Sequence, residues 1–545
     1  MLDLWYKNAV IYCLDVEVFM DGNGDGIGDF EGLTQRLDYL AGLGVTCLWL
    51  QPFYPSPNRD DGYDIQDYYS VDPRLGTLGD FVEFVRHARE RGLRVIIDLV
   101  VNHTSVEHPW FQEARANPNS RYRDFYVWSQ EKPEDAEEGI IFPGVQESTW
   151  TYDEQAKAYY FHRFYNHQAD LNIANPAVRE EIHKVMGFWL ELGVSGFRVD
   201  AVPALIELRA IEEHAQVSEP YEYLEEIRNL LSWRRGDAIL LAEANISMSK
   251  VPDYFGDGNK MQMLFHFVAN QGMMLGLVRG QAQPIIDALN APPAIPATGQ
   301  WAHFIRNHDE LSLDKLSKTE QEEVAAALAP DQEAMWIYDR GIRRRMPPML
   351  AGNERRLRLA YSLMLTLPGT PVLRYGEEIL MGDDLSLKER NSIRTPMQWS
   401  DERNGGFSTA ATKDLVRPVI SEGPFRYQRL NVEAQQRDPS SFFNWIERAI
   451  RTRKTCPEFG WGSVQVLETG NEQVLAHRCD WQGKTVIAVH NLGEQPCTVN
   501  LSLSEAETSH LTDLLTDSYP QPVDDFNRIE LEGYGHRWFR ISGQR

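Results

Sequence analysis

Short apolar runs alternate with longer amphipathic segments along most of this chain, and this alternation constrains its fold more than any other feature. Such a pattern is typical of parallel strands that are covered by helices. The apolar runs lie at residues 10–12, 45–50, 94–100, 196–200, 238–243, 263–267, 301–306 and 371–375. They predict an α/β fold, a (β/α)8 TIM barrel, whose functional residues lie where the strands end. A doubly wound open sheet is the alternative, but the sequence lacks its Gly-x-Gly-x-x-Gly turn.

Two stretches depart from this alternation and divide the chain into predicted domains. Residues 102–170 follow the third strand and are rich in Pro, Asn, aromatic and charged residues, so we expect an inserted subdomain there. Residues 456–545 carry short alternating runs separated by turn residues, which predict a C-terminal antiparallel β-sandwich. The barrel then comprises residues 1–101 and 171–455, with a polar insertion at about residues 313–353 after its seventh strand.

Composition limits the classes of partner that we expect for this chain and the cellular compartment that we expect it to occupy. The formal net charge of −26 argues against a nucleic-acid or anionic-membrane partner and is compatible with a neutral substrate or a cation. The five cysteines include no Cys-x-x-Cys pair, so we expect neither a thiolate metal site nor a disulfide framework, and we expect a reducing cytoplasm. We expect no signal peptide and no membrane span, and nothing indicates an organic cofactor or an oligomeric state.

Three acids stand just beyond three of the predicted strands: Asp200, Glu243 and Asp309. In a barrel these strand ends converge, and two carboxyl groups flanking a bond are what glycoside cleavage requires. Arg198, two residues before Asp200, would point to the same face and lower the pKa of that carboxyl, as suits a nucleophile. The apolar lead-in to Glu243 would raise its pKa, as suits an acid. A structural ion pair is the other interpretation of Arg198 and Asp200.

Two histidines and a tyrosine add binding groups near these acids. His103 follows the third strand and His308 precedes Asp309, and neutral imidazoles can hydrogen-bond sugar hydroxyls. Tyr63 offers a ring to a sugar face and Asp64 offers a carboxylate to its hydroxyls. The alternatives are structural histidines and a polar turn.

A glycine-rich loop after the first strand carries oxygen side chains at every second residue: Asp21, Asn23, Asp25 and Asp29. This spacing indicates a structural calcium ion. An EF-hand is excluded because its twelfth position is Gly32 rather than Glu.

Four motifs resemble those of the α-amylase family of retaining α-glucosyl hydrolases and transferases: DLVVNHTS at residues 98–105, GFRVD at 196–200, Glu243 with its apolar lead-in, and NHD at 307–309. The resemblance implies that Asp200 is the nucleophile, Glu243 the acid/base and Asp309 the residue that grips the glucosyl hydroxyls. It assigns the glucosyl unit to the side chains of Arg198, His103, His308, Tyr63 and Asp64. It also implies the Ile27 carbonyl as a further calcium ligand and a second structural calcium at Asn102, Asp170 and Glu207.

The resemblance narrows toward the branch of the family that isomerises maltose to trehalose, on DDGYDI at residues 60–65, FHRFYNHQADLN at 161–172, GIRRR at 341–345 and RTPMQW at 394–399. It implies a small α-glucoside substrate, a lid formed by the insertion after the seventh strand, and Arg394 bound to the far hydroxyls of the terminal glucose. For Arg343, Arg344 and Arg345 a helix surface with salt bridges is an equal alternative to a lid contact.

Three segments differ from that branch, residues 14–18, 211–223 and 384–390, and they leave the acceptor open. The first reading is intramolecular isomerisation. The alternative is an α-glucosidase or transglucosidase that transfers glucose to water or to another small acceptor. A non-catalytic barrel would have lost at least one of the three acids, and all three are present.

Overall fold

Eight parallel strands close into a barrel in this computed structural model, which describes residues 3–206, 221–501, 503, 511–515, 521–522 and 528–541. The strands are β1 Ile11–Leu14, β2 Cys47–Leu50, β3 Arg94–Leu99, β4 Gly196–Val199, β5 Ile239–Ala242, β6 Met263–Phe265, β7 Gln300–Phe304 and β8 Thr370–Arg374. Each pairs with its neighbours in sequence, and β1 pairs with β8 through Ile11 and Val372. The (β/α)8 barrel is therefore confirmed, and the open sheet is excluded.

The barrel interior is a packed core rather than a pore. Its strands are buried almost throughout, as the continuous apolar runs predict. Ile11, Trp49, Ile96, Leu241 and Phe304 belong to one buried cluster that fills the interior. The open end therefore lies where the strands finish and polar residues begin.

Helices surround the barrel, and several carry the caps that their sequences predict. Thr77 and Asp80 form a capping box at the start of Leu78–Glu90. The helical segment between β1 and β2 consists of two helices that meet at Arg36. The main helices between the strands are Phe30–Gln35, Leu37–Leu43, Leu78–Glu90, Pro176–Glu191, Val202–Leu205, Glu222–Arg234, Val251–Phe255, Phe267–Arg279, Gln283–Asn290 and Glu354–Thr366.

The segment after β3 is more regular than the sequence indicates. It contains the helix Pro109–Ala116 and two small antiparallel sheets. One pairs His103–Ser105 with Gln168–Asp170, and the other orders its strands Trp128–Ser129, Ala158–Phe161 and Trp150–Asp153. Strands of two to four residues are too short for hydrophobic periodicity to reveal.

A second insertion follows β7, as predicted. Its helices are Lys318–Leu328, Gln332–Met335 and Met346–Met349. Its strands are Leu311–Ser312, Gly341–Ile342 and Trp336–Ile337, which form one antiparallel sheet.

After the helices Val432–Arg437, Phe442–Lys454 and Glu458–Trp461, the chain forms antiparallel sheets, as the alternating runs predict. The larger sheet orders its strands Ser463–Leu467, Val474–Trp481, Lys484–Asn491, His536–Ile541, Leu511–Asp513 and Gln521–Pro522. A two-stranded sheet pairs Cys497–Val499 with Ile529–Leu531. One buried apolar cluster contains Ile487 and Phe539 from the first sheet and Val499 and Leu531 from the second, so the two sheets pack against each other.

Two further expectations concern cysteines and membranes. All five cysteines are free thiols, so the expectation of no disulfide framework is confirmed. Over the described ranges, every helix is too short or too polar to cross a bilayer.

Candidate active site

Arg198 organises the acids at the open end of the barrel. Its buried guanidinium contacts three carboxylates: Nη1 lies 2.6 Å from Asp98 Oδ1 and 2.5 Å from Asp200 Oδ1, and Nη2 lies 3.0 Å from Glu243 Oε2. Strand β4 begins at Gly196, which has φ +141° and whose missing Cβ would meet the Ile239 carbonyl oxygen at 2.2 Å. Close pairing of β4 with β5 therefore requires glycine there and brings Asp200 beside Glu243.

The pKa values of these two carboxyls follow mainly from burial. Burial raises the pKa of Asp200 to about 6 against the attraction of Arg198, with Asp98 and Asp309 adding to the rise. The expectation that Arg198 lowers this pKa is wrong for the net shift, because desolvation outweighs the ion pair. Burial also raises the pKa of Glu243 to about 7, again opposed by Arg198, as its apolar lead-in predicts.

Glu243 is held by the backbone as well as by Arg198. The N–H of Ala201, directly after Asp200, donates to Glu243 Oε2 at 3.0 Å. Ala201 has φ +43°, an uncommon left-handed conformation for a residue with a side chain. This conformation turns the chain at the end of β4 so that the two candidate catalytic carboxyls share one wall.

Asp309 lies in the loop after β7 and is flanked by two arginines and a neutral histidine. Its Oδ1 is 2.9 Å from Arg390 Nη1 and 3.2 Å from Arg394 Nη2, and its Oδ2 is 3.5 Å from His308 Nε2. Burial would raise the pKa of Asp309, but Arg390, His308 and Arg394 outweigh it and hold the pKa below its ordinary value. Asp309 is therefore ionised, as a group that binds sugar hydroxyls should be.

The predicted tyrosine and histidines meet beside these acids. Tyr63 Oη lies 2.8 Å from His308 Nε2, and the two rings stack at 5.4 Å. His103 Nε2 lies 3.1 Å from the Tyr63 carbonyl oxygen. Burial lowers the pKa of His103 to about 4 and that of His308 well below its usual value, so both imidazoles are neutral at pH 7.

Three of the predicted substrate-binding residues lie away from the cavity wall: Arg198, Asp64 and Arg394. Asp64 is fully buried, and its carboxylate accepts hydrogen bonds from the Ser56 hydroxyl and from the backbone N–H groups of Arg59 and Asp60. Asp64 thus stabilises its own loop. The prediction that its carboxylate faces a sugar is therefore corrected: the acid of this loop that lines the cavity is Asp60. Arg394 lies behind Asp309 rather than in the lining.

The acids open into a cavity of about 320 Å³. Asp200, Glu243 and Asp309 line it together with Tyr63, His103 and His308. Both insertions and the loop after β8 also contribute, through Phe142 and Phe164, through Ser312, Asp314 and Arg340, and through Arg390. This volume suits a small ligand.

A hydrogen-bonded junction joins these three segments next to the cavity-lining residues Phe142 and Arg390; we call Tyr165, Tyr338 and Glu389 the latch. The two tyrosine hydroxyls lie 3.1 Å apart, and each donates to Glu389 Oε2 at 2.8 Å. The ring of Phe142 stacks on that of Tyr165, with 4.4 Å between the ring centroids, and its centroid lies 4.8 Å from that of Tyr338. Arg340 Nη1 donates to the Ile141 carbonyl at 2.7 Å, which ties the second insertion to the first.

The three arginines of GIRRR do not lie on a helix surface. Arg343 donates to the carbonyls of Leu385, Leu387 and Glu389, and Arg345 donates to those of Tyr375 and Ile393. Arg344 forms an ion pair with Asp383 at 3.1 Å. All three therefore fasten the second insertion to the segment after β8, which agrees with the lid interpretation.

The acidic loop after β1 is folded around its own side chains. Asp21 accepts hydrogen bonds from the backbone N–H groups of Gly24 and Gly26, and Asp29 accepts them from Gly22, Asn23 and Gly32. Asn23 and Asp25 accept the N–H groups of Asp25 and Ile27. Oxygen donors of this type are those that calcium prefers, but Asp21, Asp25 and Asp29 do not bring three carboxylate oxygens within 4.8 Å of one another; among the described residues Asp15, Glu17 and Asp61 do so.

The structure describes only two of the three residues that are predicted to bind a second calcium ion, Asn102 and Asp170. Asn102 lies beside the strand pair in which His103 opposes Asp170, and its carbonyl accepts the N–H of Leu171 at 2.8 Å. Glu207 lies outside the described residues.

Sequence reasoning missed several residues of the site. Asp98 contacts Arg198 and receives the Trp49 indole N–H at 2.9 Å, and its position at the end of a buried strand was the available signal. The signal for Asp60 was its position in the same motif as Tyr63. Arg390 carried no local signal, because it reaches Asp309 from a loop distant in sequence.

A barrel of this topology, with three acids converging beyond β4, β5 and β7, defines an α-amylase-type catalytic domain. The chain belongs to the α-amylase family: the family model "Alpha amylase, catalytic domain" matches residues 16–462. A second model, "Sucrose hydrolase-like, C-terminal domain", matches residues 483–540.

Within this family the chain is similar to trehalose synthases. It is 45% identical to trehalose synthase of Thermus thermophilus over 99% of this chain, and it spans 56% of the length of that relative. It is 41% identical to trehalose synthase/amylase of Mycolicibacterium smegmatis, over 98% of this chain and 92% of the relative. A solved structure of the trehalulose synthase MutB, in complex with isomaltulose, superimposes with a TM-score of 0.76 at 27% identity and covers 99% of each chain.

Proposed function

We propose that the protein isomerises maltose to trehalose by retaining α-glucosyl transfer. The observation that carries this proposal is a cavity that is lined by the three acids and lies next to a junction of three chain segments. Similarity to trehalose synthases over nearly the whole chain supports the same reaction.

The first half of the reaction breaks the glycosidic bond of maltose. Glu243 donates its proton to the glycosidic oxygen while the Asp200 carboxylate attacks the anomeric carbon, which gives a covalent glucosyl ester and free glucose. One guanidinium touches both carboxyl groups, which is compatible with the spacing of about 5 Å in retaining enzymes. Asp309 binds the hydroxyls of the distorted sugar, where binding energy lowers the barrier.

In the second half of the reaction, Glu243 acts as a base and Asp200 is the leaving group, after the free glucose has turned in the cavity. The anomeric hydroxyl of this glucose attacks the anomeric carbon of the glucosyl ester and passes its proton to Glu243, so that a 1,1-linkage forms and Asp200 leaves as a carboxylate. Water must stay out while glucose turns. The latch serves this purpose, since it holds together both insertions and the loop after β8, and each of these segments contributes residues to the cavity wall.

Product analysis on pure maltose tests the proposal. We expect trehalose as the main product, and no label in trehalose when isotopically labelled glucose is added to the solution, because the leaving glucose does not exchange. Glucose without trehalose would identify an α-glucosidase instead. Labelled trehalose would indicate intermolecular transfer.

We propose further that the loop at residues 21–29 binds one structural calcium ion, through Asp21, Asn23, Asp25, Asp29 and the Ile27 carbonyl. Asn102 and Asp170 are candidates for a second ion. Free thiols and the acidic net charge support a cytoplasmic protein that acts on a small neutral α-glucoside.

A further inference from the structure

A row of buried side chains of alternating charge leads from the edge of the barrel mouth to Asp309. It consists of Arg417, Asp61, Arg394 and Asp309, and we call it the charge chain. Arg417 forms an ion pair with Asp61, Asp61 Oδ2 lies 3.0 Å from Arg394 Nη1, and Arg394 Nη2 lies 3.2 Å from Asp309 Oδ1. Each of these side chains is at most 16% exposed. Solvent therefore screens these interactions far less than it screens surface ion pairs.

Two acids of the segment that follows β1 hold the outer end of the charge chain. Glu17 Oε2 lies 3.4 Å and Asp15 Oδ2 lies 3.9 Å from the Arg417 guanidinium. Together with Asp61 they form the one group of three acidic side chains whose oxygens lie within 4.8 Å of one another in the described part of the chain. Since the Arg417 guanidinium lies among these oxygens, the counterion of the group is already a protein side chain.

Arg417 keeps the negative charge of this group on Asp61. Burial would raise the pKa of Asp61, but Arg417 and Arg394 outweigh it and hold the pKa below its ordinary value. Asp15 shows the opposite result, since burial and its neighbours Asp61 and Glu17 raise its pKa to about 8. An ionised Asp61 attracts Arg394. A protonated Asp61 would lose this attraction, and Arg394 could then move toward its other contacts.

Asp61 also fixes a strained turn of the cavity wall. It has φ +53°, which is unfavourable for a residue with a side chain, and it lies between the cavity residues Asp60 and Tyr63. Arg417 Nη1 in addition donates to the Arg394 carbonyl at 3.0 Å. Loss of Arg417 would thus loosen both the Arg394 backbone and the turn.

We propose that Arg417 is a positioning residue of the active site, which acts through Asp61 to hold Arg394 on Asp309 and to fix the turn that carries Asp60 and Tyr63. Arg417 contacts none of the three acids assigned to catalysis. The inference rests on the proposed glucosyl transfer and adds to it a role for residues 14–18, where the sequence departs from the pattern of the maltose-isomerising branch.

The test compares Arg417→Met and Arg417→Lys with the matched control Arg74→Met. Arg74 lies 2.6 Å from the same Glu17 but has no contact with Asp61. With 4-nitrophenyl α-glucoside we expect Arg417→Met to lower kcat/KM at least about tenfold, mostly through kcat, because Asp309 acts on the distorted sugar. Arg417→Lys, which keeps a cation near Asp61, should recover part of the loss. Arg74→Met should stay within about twofold of the wild type.

A double-mutant cycle separates positioning from general destabilisation. In an Arg394→Met background, Arg417→Met should add little further loss, since both changes break the same chain. Additive losses, an equal loss in Arg74→Met, or no loss in Arg417→Met would overturn the proposal. If Arg417→Met does not fold, Arg417→Gln, which loses the charge but keeps a donor, takes its place.

Binding of 1-deoxynojirimycin, a glucose-shaped amine, distinguishes this proposal from the proposed function. We expect Arg417→Met to raise its Kd at least about fivefold, which calorimetry can measure without turnover. A wild-type protein that binds this amine but converts neither maltose nor the aryl glucoside would contradict the proposed function alone. An unchanged Kd would overturn the positioning role.

Discussion

The Arg198 guanidinium joins Asp200 to Glu243, since its Nη1 lies 2.5 Å from Asp200 Oδ1 and its Nη2 lies 3.0 Å from Glu243 Oε2. One cation thus stabilises whichever of the two carboxyls is ionised. When Glu243 is protonated, Arg198 supports the Asp200 nucleophile. When Glu243 has given up its proton, the same group stabilises the new carboxylate, so charge can move between the two acids without rearrangement.

This arrangement predicts a narrow pH optimum. Burial raises the pKa of Asp200 to about 6 and that of Glu243 to about 7. Glucosyl transfer needs the first carboxyl ionised and the second protonated, so kcat/KM should rise with pH up to about 6 and fall above about 7. The pH profile of kcat/KM for 4-nitrophenyl α-glucoside measures this, and a flat profile between pH 5 and pH 8 would contradict the assignment.

The two catalytic roles predict different defects. Asp200→Ala should reduce turnover of every substrate by about four orders of magnitude or more, because no ester can form. Glu243→Ala should lose maltose turnover but keep some reaction with 4-nitrophenyl α-glucoside, whose leaving group needs little protonation. Added azide, a nucleophile that needs no general base, should accelerate only the second variant. Azide rescue of Asp200→Ala with retention of configuration would reverse the assignment.

The latch predicts how the product ratio depends on closure. Tyr338→Phe and Glu389→Gln each weaken the junction next to the cavity, so water should reach the glucosyl ester more often. We expect the ratio of glucose to trehalose from maltose to rise about threefold or more, with a smaller effect on the rate of maltose consumption. Tyr152→Phe is the control, since Tyr152 is 42% exposed and lies in the same insertion as Tyr165 but outside the latch. An unchanged ratio in both latch variants would exclude this role.

The barrel could be predicted from sequence because each of its strands is a continuous apolar run that ends at polar residues. The same pattern predicts that Asp200, Glu243 and Asp309 lie together, and all three line one cavity. Each of the three depends on local sequence, since its position is set by the end of its own strand.

The rest of the site depends on contacts that sequence spacing does not encode. Asp60 and Asp64 are four residues apart in one turn, and the backbone direction of the turn decides which of them lines the cavity. Arg390 reaches Asp309 from a loop 81 residues away, and Arg417 reaches Asp61 across 356 residues. The net pKa of Asp200 depends on how deeply it is buried, which the neighbouring Arg198 alone could not indicate.

Calcium is expected to stabilise the protein without taking part in the reaction. The loop at residues 21–29 is tied to the segment after β8, since the Ser408 hydroxyl donates to Asp21 Oδ2 at 2.5 Å, and it stands apart from the three acids. Chelation should therefore lower the Tm by several degrees and leave the initial rate of the folded protein within about twofold. Asp21→Asn should reproduce the lower Tm and abolish its dependence on calcium. An immediate loss of rate at unchanged Tm would place the metal in the chemistry instead.

Buried histidines predict a loss of stability in acid. His477, His490 and His536 stack in a row between the C-terminal sheet and the helix Glu354–Thr366, where His477 Nε2 donates to the Thr366 carbonyl at 2.9 Å. Burial lowers the pKa of His477 and of His536 from 6.5 to about 4, and it also lowers the pKa of His490 well below its ordinary value. The unfolded chain therefore binds more protons, and the stability that each histidine contributes is fully present above pH 6.5 and is lost as the pH falls toward 4.

His477 and His536 should each lower the free energy of unfolding by about 3 kcal/mol by pH 4, since their pKa is about 4 in the folded protein and about 6.5 in the unfolded chain. His477→Gln keeps a donor for the Thr366 carbonyl but cannot titrate, so its Tm should fall less steeply than that of the wild type between pH 7 and pH 5. His87→Gln, at a half-buried helix position outside this row, should fall in parallel with the wild type. Parallel curves for His477→Gln and the wild type would show that this histidine does not carry the acid sensitivity.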